Sequence, residues 1–281
     1  AALGFWSWMS NEEIRSLQLN SVGHVNHTAI YLAIMLGLCV AWGLEGGRAP
    51  AIVATVCLLF ALFLTTSRAA LLVAFAMLVV LAAVHWRRSR AARAFTVALV
   101  VAASAVAAIG LGEVLRKNEQ FMEKHDLLAQ RPGVWRVGVE AWLRYPVAGI
   151  GVDNYKLINP ELLKTWRGER GLPFDGSQYS HSAIGAHNFG HAHSLYIATL
   201  AERGIIGAIS LAALLAAWLL ALVRWRPRPH SDAQEWLLWG GAASAFMITA
   251  GVGLANTTLH HEHGILAALL LGLWLSKRPG R

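Results

Sequence analysis

A polar segment of the chain meets an apolar helix in the stretch His191-Ala192-His193-Ser194-Leu195-Tyr196-Ile197-Ala198-Thr199-Leu200-Ala201-Glu202-Arg203-Gly204-Ile205-Ile206-Gly207. Two histidines stand immediately before the apolar residues, and a Glu-Arg pair follows within them. Ser194 is a suitable N-cap residue, so a helix is predicted to begin directly after it. The stretch predicts chemically active side chains at a membrane surface, and the rest of the chain is interpreted around it.

The composition of the chain is that of a membrane protein. Of its 281 residues, 56% are hydrophobic and 14% are charged, whereas soluble domains carry about 25% charged residues. The apolar residues fall in several separate runs that are long enough to cross a bilayer as helices. We therefore predict an all-α polytopic membrane protein with about seven transmembrane helices, plus a helical segment outside the membrane.

The predicted spans alternate with polar connections. They lie at 27–44, at two positions within 51–84, and at 95–111, 204–223, 236–254 and 264–275. The run 51–84 is too long for one span and suits two short ones, so Thr65-Thr66-Ser67-Arg68 is predicted to form the tip of a hairpin. We expect three regions: membrane helices in 1–112, an outer segment in 113–193, and membrane helices in 194–281.

The basic residues predict how the chain is oriented. The formal net charge is +8, which by itself is compatible with nucleic-acid binding. However, the basic residues cluster at 86–93, 224–228 and 277–281, next to apolar runs, and this distribution marks cytoplasmic loops. Alternation of the spans then places Arg68 and the segment 113–193 on the outer face. We predict a multi-pass membrane protein whose active site lies on the outer face, which is the periplasmic face of the inner membrane if the host is a Gram-negative bacterium. The predicted partner is the bilayer, and no nucleic acid is expected to bind.

The outer segment is predicted to contain short helices and one long loop. Its elements are an amphipathic helix at 115–130, a break at Arg131-Pro132, a second helix at 134–143, a turn at 146–151 and a loop at 166–190. In the second helix, Trp135, Val139 and Trp142 are spaced to share one side. The loop is rich in Gly, Ser and His and lacks periodicity, and loops of this length are usually functional.

Three arginines are candidates for binding an anion. Arg68 lies between two apolar runs, where a charged side chain is costly and usually functional. Arg131 and Arg136 flank Trp135 at the predicted surface helix. Guanidinium groups suit phosphate oxygens because they stay protonated and donate in a bidentate way. The alternatives are that Arg68 extends to water from a hairpin tip, and that Arg131 and Arg136 are exposed residues without a function.

Two histidines are candidates for acid–base chemistry. His193 precedes a helix N-terminus, whose dipole disfavours the imidazolium form and so keeps the ring neutral. A neutral imidazole is the form that a general base requires. His191 is the second candidate, and a structural role is the alternative for both.

A metal site is the competing interpretation of the histidines. The histidines predicted to share the outer face are His181, His187, His191, His193, His260, His261 and His263. Their spacings are compatible with zinc or copper, but no cysteine and few carboxylates, chiefly Asp175 and Glu262, accompany them. We predict no metal site and no cofactor.

Separated blocks of the chain carry a resemblance to a known family. In chain order they are Gly23-His24-Val25-Asn26-His27-Thr28-Ala29, Thr66-Ser67-Arg68-Ala69-Ala70-Leu71, Arg131-Pro132-Gly133-Val134-Trp135 through Pro146-Val147-Ala148-Gly149-Ile150-Gly151, and His191 through Gly207. Together they resemble the O-antigen ligase and O-antigen polymerase superfamily of bacterial envelope glycosyltransferases. The last block resembles the family's His-x-His-Asn…Glu-x-Gly-x-x-Gly pattern, with Ser194 in place of the usual Asn. Family members usually have more spans, so the resemblance implies that N-terminal spans are missing here.

The resemblance implies a metal-independent, inverting glycosyl transfer by an O-antigen ligase. The donor would be a polysaccharide on undecaprenyl diphosphate, and the acceptor a sugar hydroxyl of lipid A-core. The residues implied to bind the diphosphate are Arg68, Arg131 and, less surely, Arg136. His193, or else His191, would be the general base, and Glu202 would orient a histidine or an arginine.

Other functions remain open at the level of sequence. Within the same superfamily, an O-antigen polymerase or a protein O-oligosaccharyltransferase would use the same groups on a different acceptor. Outside it, the histidines would suit a metal-binding or transport membrane protein, and a scaffold of envelope assembly would need none of these side chains.

Overall fold

The computed structural model describes Leu17 and residues 25–46, 49–86, 88, 90, 92–101, 104–105, 130–179, 191–259 and 261–277. Within these residues all regular structure is helical, which confirms the predicted all-α class. The α-helices are α1 (Val25–Gly46), α2 (Ala49–Leu64), α3 (Arg68–His85), α4 (Ala92–Val101), α5 (Gln130–Arg144), α6 (Pro160–Glu169), α7 (Leu195–Arg224), α8 (Ala233–Val252) and α9 (His261–Ser276). Short 3-10 helices lie at Tyr155–Leu157 and Gly176–Gln178. The helix predicted at 115–130 lies outside the described residues except for Gln130.

Three of the described helices, α1, α3 and α7, are long and apolar enough to cross a membrane. Helices α2, α4 and α9 are apolar but shorter, and α8 carries Glu235 in its first turn. The predicted number of seven spans is therefore not confirmed.

The predicted hairpin between α2 and α3 is confirmed. Helix α2 ends at Leu64 and α3 begins at Arg68. At the tip, the Thr65 hydroxyl donates to the Leu62 carbonyl over 2.6 Å, and Thr66 adopts a left-handed φ of 56°. These local features reverse the chain at the polar tetrad.

The chain divides into two compact units. The first comprises Ala1–Val114, Trp218–Val252 and Thr258–Arg281; the second comprises Leu115–Ala217 and Gly253–Thr257. Helix α7 contributes its residues up to Ala217 to the second unit and the remainder to the first. The three-region division at 112 and 193 stays a prediction.

The core of the first unit forms where α1 packs against α8, α2 and α3. Its fully buried side chains include Ile34, Met77 and Ile248. Helices α1 and α8 approach so closely that a Cβ atom on Gly240 would lie 2.5 Å from the Cβ of Ala41. Small residues allow this close approach. The van der Waals packing that results stabilises helix association in lipid, where no hydrophobic driving force acts between helices.

One end of the first unit is held by charged side chains. The Arg88 guanidinium donates to both carboxylate oxygens of Glu45 over 2.7 Å and to the carbonyls of Pro229 and Ser231. Arg88 and Arg226 both lie over the Trp236 ring, 5.0 Å and 5.8 Å from its centroid. We call Glu45, Arg88, Arg226 and Trp236 the basic end. Two of the three predicted cytoplasmic clusters thus meet at one end of the unit, as alternation of the spans requires.

The other end of α1 carries polar side-chain contacts. The Ser67 hydroxyl donates to the Asn26 side-chain oxygen over 3.3 Å. His27 Nδ1 and His263 Nε2 are hydrogen-bonded at 2.8 Å, with the rings stacked. This end therefore brings the start of α1, the hairpin tip and the start of α9 together.

Candidate active site

Helix α7 begins where the sequence predicts. Leu195 is its first residue, and the Ser194 hydroxyl accepts a hydrogen bond from the Ile197 N–H over 3.4 Å, as an N-cap does. The same hydroxyl donates to the Gly253 carbonyl over 3.3 Å, and the Leu195 N–H donates to that carbonyl over 2.8 Å. His193 adopts a left-handed φ of 47°. The start of α7 is thus tied to the turn after α8, with the candidate base on the residue before the cap.

A kink at Gly204 interrupts α7. This residue has φ 61° and ψ −159°, far from helical values. A break in a helix leaves carbonyl groups before it and N–H groups after it without their intrahelical partners. Those groups need other partners, because unpaired backbone polar groups are costly.

The turn at 146–151 supplies these partners. The Ile150 and Gly151 N–H groups donate to the carbonyls of Ala201 and Glu202, both over 2.9 Å. In return, the Ile205 N–H donates to the Pro146 carbonyl over 2.8 Å and the Ile206 N–H to the Val147 carbonyl over 3.3 Å. We call residues 146–151 and 201–207 the glycine crossing. Two blocks that are far apart in the sequence form one structure here.

The glycines of both blocks are required by this geometry. Gly149 and Gly204 have left-handed φ values of 72° and 61°, which side chains rarely tolerate. A Cβ on Gly204 would lie 2.3 Å from the Val147 carbonyl oxygen, and one on Gly149 would lie 2.3 Å from the Glu202 carbonyl carbon. At Gly207 a Cβ would lie 2.2 Å from the Cβ of Arg203. The spacing Glu-x-Gly-x-x-Gly is therefore explained by the kink and by the turn packed against it.

Glu202 lies at the centre of the crossing. Its Oε1 accepts a hydrogen bond from the Tyr155 N–H over 3.4 Å, and its Oε2 lies 3.9 Å from the Arg203 guanidinium. The side chain is largely buried, with 13% exposed. The role predicted for it, orienting a histidine or an arginine, stays a prediction.

Tyr155 is a residue that sequence reasoning missed. Its phenol donates to the Val134 carbonyl over 2.5 Å, and the ring lies close to Gly138 of α5. Burial, together with the Glu202 charge, raises the pKa of Tyr155 above its usual 10.0. Tyr155 therefore joins α5 to the segment that carries Glu202. The signal available in the sequence was an aromatic residue shortly after a Gly-x-Gly turn in a polar segment.

Helix α5 begins earlier than predicted. Arg131 and Pro132 lie in its first turn and do not break the chain before it. Proline is tolerated there because the first N–H groups of a helix have no intrahelical partner. Arg131 is half-buried, whereas Arg136 is exposed and donates to the Gln178 carbonyl over 3.1 Å. Arg68, in the first unit, is the exposed first residue of α3.

The predicted loop at 166–190 begins inside a helix. Helix α6 extends to Glu169 and buries Trp166. Asn159 caps it by accepting from the Leu162 N–H over 2.9 Å, and Pro160 occupies its first turn. The prediction of a loop from residue 166 was therefore wrong for the end of α6, while residues 180–190 lie outside the described part.

An ion cluster joins α5 to α6. Glu140 of α5 is buried and accepts from the guanidinium groups of Arg167 and Arg170. A more exposed pair joins Arg144 to Glu169 over 2.9 Å. These contacts hold the helix that carries Arg131 and Arg136.

The histidines do not form a metal centre within the described residues. There, no group of three or more His, Cys, Asp or Glu side chains is placed to hold a metal ion. His263, a candidate ligand, is buried and hydrogen-bonded to His27. His181, His187 and His260 lie outside the described residues, as does the side chain of His261.

A family model described as O-antigen ligase matches residues 53–212. The chain belongs to the O-antigen ligase family. No curated protein matches the sequence. The matched region of this O-antigen ligase family member begins in α2 and ends in α7, so it includes the hairpin tip, α5 and the whole glycine crossing. Members of the family are glycosyltransferase-like ligases, so this chain is an enzyme.

Proposed function

We propose that this protein is an O-antigen ligase that transfers a polysaccharide from undecaprenyl diphosphate to a sugar hydroxyl of lipid A-core. The reaction takes place on the periplasmic face of the inner membrane and needs no metal ion. The observation that carries the proposal is the family match, because residues 53–212 contain every candidate side chain. These candidates are Arg68, Arg131, Arg136, His191, His193 and Glu202.

The chemistry of the transfer requires positive charge and a base. The acceptor oxygen attacks the anomeric carbon while the bond from that carbon to the phosphate oxygen breaks, and the electron pair leaves with the diphosphate. Stabilising the growing negative charge lowers the barrier. Guanidinium groups provide this charge without a metal, and we assign that role to Arg68, Arg131 and Arg136.

The acceptor proton goes to His193. Its position before the cap of α7 supports this role, because the positive end of the helix dipole favours the neutral imidazole. The tie between Ser194 and the Gly253 carbonyl restrains the backbone beside it. His191, which is exposed, is the alternative base. Glu202 supports the site from within the crossing.

The decisive experiment is transfer in detergent with excess EDTA, using lipid-linked O-antigen and purified lipid A-core. We expect wild-type product in EDTA, and a rate reduced about 10²–10⁴-fold in His193→Ala, as for loss of a general base. His230→Ala, at an exposed histidine of the α7–α8 loop, is the matched control and keeps wild-type activity. If His193→Ala stayed active and His191→Ala instead lost transfer activity to this extent, the role of general base would belong to His191.

The diphosphate role of the arginines has its own measurement. We expect Arg131→Ala and Arg68→Ala to lower kcat/KM for the lipid-linked donor, with smaller loss in Arg136→Ala. Arg228→Ala, at an exposed position of the same loop as His230, is the charge-matched control. Unchanged donor kinetics in both Arg68→Ala and Arg131→Ala would contradict the assignment.

The acceptor separates the ligase from its relatives. If product forms on lipid-linked repeat units but not on lipid A-core, the protein is a polymerase; if it forms on serine hydroxyls of a protein, it is an O-oligosaccharyltransferase. Product that EDTA abolishes and a divalent metal restores would mean that the histidines are metal ligands.

A further inference from the structure

An exposed apolar surface lies beside the glycine crossing. Val147 is 59% exposed, and Ile205 and Ile206 are 43% and 58% exposed. The hydrogen bonds from the Ile205 and Ile206 N–H groups to the Pro146 and Val147 carbonyls hold these side chains at one place. We call Val147, Ile205 and Ile206 the ledge.

The ledge is continuous with a candidate transmembrane helix. Ile205 and Ile206 belong to α7, which is long and apolar enough to cross a membrane. One turn further along, Ile209 is on the same side of the helix as both isoleucines and is 63% exposed. Val147, in contrast, belongs to the turn at 146–151, which was predicted as part of a segment outside the membrane. Its backbone contacts bring it to the first turn of α7 after the kink.

Charged residues adjoin the ledge in the chain. Arg203 precedes the kink and is exposed. Lys156 and Asp153, which form an exposed ion pair, follow the turn at 146–151. An apolar surface that continues into a span and has an exposed arginine next to it in the chain matches the boundary between acyl chains and phosphate headgroups.

We infer that the ledge is a lipid-contact surface, and that the turn at 146–151 inserts Val147 into the acyl region of the bilayer beside the residues of α7 that follow the kink. The partner is the lipid leaflet itself. Arg203 then lies at the level of the headgroup phosphates, and the glycine crossing lies at the membrane surface. This contact depends on the fold alone and not on the reaction proposed above.

The test measures the depth of single labelled positions in reconstituted bilayers. Cys39 and Cys57 are first replaced by alanine, and Val147→Cys, Ile206→Cys and Thr165→Cys are each labelled with an environment-sensitive fluorophore. Val147 is suited to this because its contacts in the crossing run through the backbone. Ile206 reports the start of the span, and Thr165, exposed on α6, reports water. The vesicles contain phosphatidylethanolamine and phosphatidylglycerol, with nitroxide lipids carrying the quencher near the headgroup or deep in the acyl chain.

We expect the label at 147 to be blue-shifted and quenched by the shallow nitroxide at least about half as strongly as the label at 206, since interfacial side chains lie about 5–10 Å into the headgroup and acyl boundary. The label at 165 should be quenched by aqueous iodide only. Water-like emission at 147, matching 165, would overturn the inference. A blue-shifted label at 147 that neither nitroxide quenches would also overturn it, because protein would then cover the ledge.

Discussion

The glycine crossing of the second unit and the basic end of the first unit both join segments that are distant in the sequence. The crossing does so through backbone atoms, and the basic end does so through side-chain atoms. At the crossing, four hydrogen bonds run between backbone groups of 146–151 and 201–206. At the basic end, Arg88 connects Glu45 to the α7–α8 loop through its side chain. A backbone contact restricts the size and φ of the residues but not their chemistry, whereas a side-chain contact restricts charge and shape. Substitutions should therefore fail for different reasons in the two regions.

The largest effect is expected for Gly204→Ala. A left-handed φ costs a non-glycine residue about 1–2 kcal/mol, and the added Cβ meets the Val147 carbonyl oxygen, which belongs to the backbone and cannot rotate away. With overpacking added, we expect the free energy of unfolding to fall by about 3–4 kcal/mol. The measurements are thermal unfolding in detergent and the yield of folded protein.

Two other glycines separate the causes of that loss. Gly171 has a positive φ of 67° but open space around it, so Gly171→Ala should cost only about 1 kcal/mol. Gly168 is helical and has equally open space around it. Its replacement by alanine should therefore stabilise the protein by up to about 1 kcal/mol. If Gly204→Ala were no worse than Gly171→Ala, close backbone approach would not be what the crossing requires.

The second effect tests the side-chain contacts within the second unit. Glu140→Gln removes the charge between Arg167 and Arg170 in a buried cluster, and breaking such a cluster costs about 3 kcal/mol. Glu169→Gln is the matched control, because its pair with Arg144 is exposed and contributes only about 0–1 kcal/mol. Equal unfolding temperatures for the two variants would mean that burial adds nothing to the Glu140 cluster.

The same contrast explains which parts of the structure could be predicted from the sequence. The start of α7 after Ser194 and the α2–α3 hairpin tip follow from local signals, an N-cap residue and a polar tetrad between apolar runs. The positions of α1 and α8 follow from apolar length. Each of these depends on residues that are neighbours in the chain, so a single sequence contains the information.

The crossing could not be predicted in the same way. Gly149 and Gly204 indicate unusual backbone, but nothing local shows that the turn at 146–151 pairs with the kink in α7. The beginning of α5 was missed because Pro132 was interpreted as a break, when its position in the first turn made it compatible with a helix. Of the candidate site, the sequence supplied the arginines and histidines from their positions in the chain and Glu202 through the family resemblance. The contacts of Tyr155 and Glu202 required the structure. The roles of Arg68 and His193 stay predictions.

The third effect returns to the basic end. Arg88→Lys keeps the charge but loses the planar fork that donates to Glu45 and to two loop carbonyls while it stacks on Trp236. Because lysine cannot reproduce this geometry, we expect the free energy of unfolding to fall by about 1–2 kcal/mol. Arg90→Lys, at an exposed position, should be neutral. A neutral Arg88→Lys would show that charge alone holds this end, and the contrast between the two regions would then be weaker.

The smallest effect is expected for Tyr155→Phe, which keeps the ring against Gly138 but removes the donor to the Val134 carbonyl. At neutral pH the free energy of unfolding should fall by about 1 kcal/mol. Tyr145→Phe is the control and should cause no change, because Tyr145 is exposed.

The pH dependence of Tyr155→Phe shows whether the buried phenol is the cause. Its pKa is raised in the folded protein above the usual 10.0, so its stabilising contribution is fully present below pH 10 and is lost as the pH rises above that value, where the unfolded chain releases the proton and the folded chain does not. The advantage of the wild type over Tyr155→Phe should therefore decrease above pH 10, by up to about 1.4 kcal/mol for each pH unit. An advantage that stayed constant to pH 11 would mean that the phenol ionises equally in both states, which would contradict a raised pKa for Tyr155 in the folded protein.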